Sequence, residues 1–143
     1  MRKALLLTIV ILSTVAAAAA QVYTSDKQSP ERKAMLDTLR VPIERELKQK
    51  IVFVVENLNV SGNWAFIGGG NLQSADGGEP DFSRTKYAEA KREGFFDNNY
   101  FAILKKTAGK WKVVHYAIGC TDVCYATWWR DYRAPKAIFP YTE

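Results

Sequence analysis

Ile51-Val52-Phe53-Val54-Val55 is the stretch on which the fold turns. An unbroken run of β-branched and aromatic residues reads as a strand. Both of its alternating sets are apolar, Phe53 and Val55 on one side, Val52 and Val54 on the other. A strand apolar on both faces is expected to be covered on both. One cover stands upstream. Ser29-Pro30-Glu31 offers a cap, a first-turn proline and an acid at the positive end of the helix dipole. Leu36, Leu39, Ile43 and Leu47 then recur at helical spacing. Pro42 lies inside that repeat and predicts a kink or a split near Arg40, because proline lacks an N–H and crowds the preceding turn. The second cover has to be a C-terminal segment, a partner chain or a ligand.

Downstream, Ser61-Gly62 gives a tight turn into Asn63-Trp64-Ala65-Phe66-Ile67, a second strand paired with the first. Gly68-Gly69-Gly70 and residues 74–80 read as a loop. No lysine-threonine pair and no helix follow the triplet, so it is a strand end or bulge and not a phosphate cradle. Thr85 to Arg92 has helical composition, closed by Gly94. Tyr100–Lys105 and Trp111–Ile118 make a second hairpin, with Gly109 in the left-handed turn position. The tail carries Trp128, Trp129 and Tyr132, then Ile138-Phe139 between Pro135 and Pro140, and is expected to pack onto the sheet. The resulting expectation is an α+β fold, an N-terminal helix packed on a four-stranded antiparallel sheet with a C-terminal aromatic tail.

The N-terminus gives an address. Arg2 and Lys3 precede the apolar run Leu5–Leu12, and Ala16–Ala20 supplies the small residues of a cleavage site, so residues 1–20 read as a signal peptide. The run is shorter than the roughly 20 residues that span a bilayer. No cysteine follows it, which excludes lipid attachment at the new terminus. Removing 20 of the 143 residues leaves 123, with 21–29 a flexible arm and 30–143 a single domain. The expected location is periplasmic or extracellular, with no membrane-embedded part after cleavage. The leader takes two basic residues with it, so the formal charge falls from +5 by two, to +3. So mild a balance gives no reason to expect nucleic acid as a partner. Lys105, Lys106, Lys110 and Lys112 cluster at one turn and read as a solvated hairpin tip that discourages edge aggregation, in preference to an anionic-surface contact.

Few residues carry chemistry. His115 is the lone histidine. Period-two alternation sets it on the face of Trp111, Val113 and Ala117, either as a base or metal ligand in a pocket or as a strand histidine bonded to a neighbour. Asp122 is the nearest carboxylate in the chain, and a His115–Asp122 dyad is the catalytic candidate. No metal site is expected, since a second histidine is lacking. No cofactor is expected either. Cys120 and Cys124 are the only cysteines, and in an oxidising compartment they suggest a disulfide. Trp128 and Trp129 are adjacent and cannot both face one layer, which makes one of them a surface anchor for a peptide, a glycan or a second copy of the chain.

Pro30-Glu31-Arg32-Lys33-Ala34 leading to Leu39-Arg40-Val41-Pro42, then Trp64-Ala65-Phe66, Trp111-Lys112-Val113-Val114, Gly119-Cys120-Thr121-Asp122-Val123 and Ala134-Pro135-Lys136-Ala137-Ile138-Phe139 resemble a family of small, uncharacterised secreted proteins of Gram-negative bacteria. That likeness implies export and one domain, and it carries over no site residue. In layout the chain also resembles the cystatin fold, with Leu58-Asn59-Val60-Ser61-Gly62 where that family's first inhibitory hairpin lies and Lys110-Trp111 near its second. Leu58 stands for the family's glutamine and Lys110-Trp111 for its Pro-Trp. The cone-shaped NTF2-like sheet is the related layout. The function expected is therefore a non-enzymatic domain that binds an unknown protein or small ligand, with a homodimer possible. The alternative is a small pocket enzyme using His115 with a carboxylate.

Overall fold

Ser29 begins the first helix in the way its sequence indicates. In the computed structural model, which describes residues 20–143, its hydroxyl oxygen accepts the Arg32 N–H at 3.1 Å. Residues 1–19 of the expected signal peptide lie outside the described residues. Helix α1 runs Pro30–Leu47 without a break at Pro42. Met35, Leu39, Ile43 and Leu47 are buried on both sides of the proline. Burying four such side chains along one line contributes several times the ~3 kcal/mol that an internal proline costs, so the helix stays whole. Leu36, expected on that face, gives its place to Met35 and is half-buried.

The sheet has six strands where four were expected: β1 Tyr23–Thr24, β2 Ile51–Phe53, β3 Asn57–Ser61, β4 Trp64–Ser74, β5 Asn99–Thr107 and β6 Lys110–Ile118. All pairings are antiparallel in the order β1-β3-β4-β5-β6, with β2 also on β4. Two facts account for the extra strands. Trp64–Ile67 pairs with Leu58–Ser61 and not, as expected, with the Ile51–Val55 run, which instead sets Ile51–Phe53 opposite Leu72–Ser74 further along β4; the register is continuous and only interrupted at 54–56. Residues 21–29, read as a loose arm, add β1 to the edge at Val60 and Asn59 and bury Ser25.

The glycine triplet lies inside β4 and not in a loop. It forms the bulge that shifts register against β5 between Gly68 and Asn71. A Cβ on Gly70 would stand 2.1 Å from the Val54 carbonyl oxygen, which itself accepts the Tyr100 hydroxyl at 3.1 Å. Only glycine lets the interrupted strand pass so close. After β4 the chain forms helix α2, Ala88–Arg92, shorter than its composition suggested. Phe82, Tyr87 and Phe96 cluster around it, with the Phe82 and Phe96 ring centroids 4.7 Å apart.

Both faces of the sheet are used. Helix α1 covers Leu58, Val60, Ala65, Ile67, Tyr100, Ala102 and Leu104. The aromatic tail covers Phe66, Phe101 and Ile103 with Tyr125, Trp128, Ile138 and Phe139, as its composition suggested. Helix α3 (Trp128–Asp131) and a 3-10 turn at Lys136–Ile138 shape that tail. It does not reach β2. Val52 and Val54, expected under a second cover, are 46% and 38% exposed.

Candidate functional site

A single inserted residue decides where the histidine points. Strand β6 pairs Ile118 to His115 with Tyr100 to Ile103, and Val113 to Lys110 with Leu104 to Thr107, so Val114 is extra. The bulge breaks the alternation. Trp111 and Val113 face the helix-side core, whereas His115 and Ala117 lie opposite Ile103 and Phe101 on the tail side. There His115 stacks on Tyr132, centroids 5.1 Å apart, and meets Trp128 edge-on at 4.7 Å. Burial lowers its pKa, because desolvation penalises the imidazolium.

Asp122 lies elsewhere. Its carboxylate accepts the Val123 N–H at 2.6 Å beside a depression of about 290 Å³ lined by Cys124, Thr127, Tyr141 and Glu143. Among the described residues, no hydrogen bond or ion pair joins it to His115. Trp128 is core, 5% exposed. Trp129 is half-buried; its indole N–H donates to the Glu143 carbonyl at 2.8 Å, and the Lys136 ammonium lies 4.7 Å from the ring. Cys120 and Cys124 are joined in a disulfide that ties the end of β6 to the tail. Asn99 braces this junction, accepting the Cys120 N–H at 2.9 Å and donating to its carbonyl at 2.8 Å.

The most concentrated chemistry is on the helix side, where sequence reasoning had not looked. Glu46, one position before the buried Leu47, sends its carboxylate between the hydroxyls of Tyr87 and Tyr116, both of which donate to it. The Lys86 ammonium completes the group at 3.0 Å. Burial, the largest influence on Glu46, pushes its pKa up. The bonds from Tyr116, Tyr87 and Lys86 together outweigh it and hold the carboxyl below its ordinary value. Burial first, and then the carboxylate, drive Tyr116 up to about 12 and Tyr87 higher still.

This cluster forms one wall of an open cleft of about 430 Å³ whose other lining residues are Pro42, Val113, Val114 and His115. Apolar walls with a few convergent polar groups are what a ligand site requires. The smaller depression at Leu47, Lys48, Asp81 and Arg84 is a clasp by comparison, closed by reciprocal bonds between the Gln49 side chain and the Asp81 backbone at 2.7 and 2.9 Å.

Comparison with protein-family models, with curated proteins and with solved structures finds no match to this chain. Among the described residues, no group of three or more His, Cys, Asp or Glu side chains could hold a metal ion, and no helix is long and apolar enough to cross a membrane. The disulfide is consistent with an oxidising compartment.

Proposed function

We propose that this protein is a secreted, periplasmic or extracellular, non-enzymatic binding domain whose ligand enters the cleft between α1, Lys86-Tyr87 and the bulged edge of β6. The observation that carries this reading is the state of the two titratable groups nearest the cleft. His115 has its ring packed by Tyr132 and Trp128 and no carboxylate bonded to it. Glu46 already accepts from Tyr87 and Tyr116 and pairs with Lys86. A general base needs a free lone pair aimed at a substrate proton. The Glu46 oxygens are committed to these donors and no acid orients the His115 ring, whereas the apolar lining at Pro42, Val113 and Val114 offers contact area.

The test is capture from periplasmic extract by the immobilised chain from Gln21 onward, with two variants. Val114→Arg fills the cleft from a residue already 37% exposed, so the fold should tolerate it, and bound partner is expected to fall at least tenfold. Val52→Arg places the same charge on β2, at a residue 46% exposed and outside the cleft lining, and should retain the partner. Equal loss of binding in Val52→Arg, or survival of binding in Val114→Arg, would reject the cleft.

A further inference from the structure

The register of the second hairpin reopens the reading of its lysines. Lys105 stands directly opposite Lys112 on one side and Trp64 on the other. Opposed residues share a face, and Lys105 is two positions beyond Ile103, so all three side chains lie on the outer, tail-side face. Lys110, two positions before Lys112, belongs to the same face. Lys106 is the exception, on the inner face over Trp111 and paired with Glu31 at 3.5 Å. The outer three, Lys105, Lys110 and Lys112, are exposed and form no ion pair among the described residues. Like charges directly opposed across two strands destabilise a sheet. A tip meant only to stay solvated would do so with both signs interspersed. Here the charges are gathered, and the half-buried Trp64 indole lies beside them, 4.9 Å from the Lys105 ammonium.

We infer that this end of the sheet is a peripheral docking surface for an anionic phospholipid membrane, with headgroup phosphates neutralising Lys105, Lys110 and Lys112 and Trp64 seated at headgroup level. The charge complementarity names the sign of the partner. The indole distinguishes a lipid surface from a soluble polyanion, because tryptophan is favoured where one end is apolar and the other wet. Each basic residue near an anionic leaflet contributes enough for roughly a fivefold gain in affinity, and the attraction fades within a Debye length. The inference does not rest on the cleft, which lies among other residues.

The experiment is co-sedimentation at low ionic strength of the chain from Gln21 onward, which carries all six strands and both cores, with vesicles of phosphatidylglycerol or of phosphatidylcholine. Binding to the first and not the second is expected, with a blue shift of tryptophan emission and loss of binding in about 1 M salt, where screening is nearly complete. Lys105→Gln/Lys112→Gln should weaken binding about thirtyfold. It should melt no lower than the parent, since a repulsive pair has been removed. The double variant Lys48→Gln/Lys50→Gln, at the far end of α1 from the Glu31–Lys106 pair, should keep most of the affinity. Equal binding to both vesicles, indifference to Lys105 and Lys112, or binding to soluble dextran sulfate but not to phosphatidylglycerol would overturn the inference.

Discussion

Replacing Glu46 by glutamine removes one charge and leaves the shape almost unchanged, which isolates what the carboxylate does. In the native protein it accepts from two tyrosine hydroxyls and lies 3.0 Å from the Lys86 ammonium. A hydrogen bond to a charged group contributes about 1.5–3 kcal/mol against about 1 for a neutral one. Glutamine keeps one acceptor for one tyrosine and can donate to the other hydroxyl, so only the charge-assisted part of each bond is lost. The Lys86 side chain is 67% exposed, and its ion pair adds well under 1 kcal/mol. The sum is about 1–4 kcal/mol at neutral pH, a fall in Tm of several degrees or more for a domain of this size. The pH dependence adds a second constraint. Glu46 has a folded pKa below its unfolded value, so its contribution is complete above the unfolded pKa and disappears as pH falls through the folded one. Native protein and Glu46→Gln should therefore differ at pH 7 and converge as the pH falls below the folded pKa of Glu46. Parallel thermal melts read this directly. Equal stability at neutral pH, or a gap that persists in acid, would refute the argument.

Three further substitutions probe the packing that holds the site. In Gly119→Ala the new Cβ would meet the Phe96 ring at 2.0 Å from a backbone with φ of 79°, so strain of about 1–2 kcal/mol and overpacking of 1–3 kcal/mol should lower Tm by 10 °C or more in a melt. Pro42→Ala restores an α1 hydrogen bond. Part of the ~3 kcal/mol internal-proline cost returns, less about 1 kcal/mol of chain entropy, and denaturant unfolding should show a gain of about 1–2 kcal/mol. Cys120→Ser/Cys124→Ser opens a loop with a sequence separation of only 4, so urea unfolding should show a loss of about 2 kcal/mol or less, and native thiol alkylation should leave the parent mass unchanged.

Local signals were legible and distant ones were not. The Ser29 cap, the Gly62 and Gly109 turns and the inward tail all follow from neighbouring residues, and the structure carries them. Strand β3 was missed although Leu58 and Val60 alternate between Asn57 and Asn59, because asparagine is depleted in strands and masked the period. The sequence could have revealed it. Strand β1 could not be read from two polar-flanked residues, since only its pairing with Val60 and Asn59 makes it a strand. The bulge at Val114 was equally hidden. Val113 and Val114 suit either face, and nothing local says that one of them is extra. That single insertion moved His115 to the other side of the sheet from the one alternation predicts. The Glu46 group draws on positions separated by 41 and 70 residues, a juxtaposition that only the folded chain creates. Adjacency of Trp128 and Trp129 did say that one would turn outward, and the exposure of each resolves which.

The reading as a binding domain stands on His115 being packed by aromatic rings and uncoupled from any acid. An NMR titration of its imidazole in the native protein and in Asp122→Asn reports on that point directly. The account expects a midpoint below the usual 6.5, identical in the two proteins. A midpoint above that value which drops when the Asp122 carboxylate is removed would contradict it.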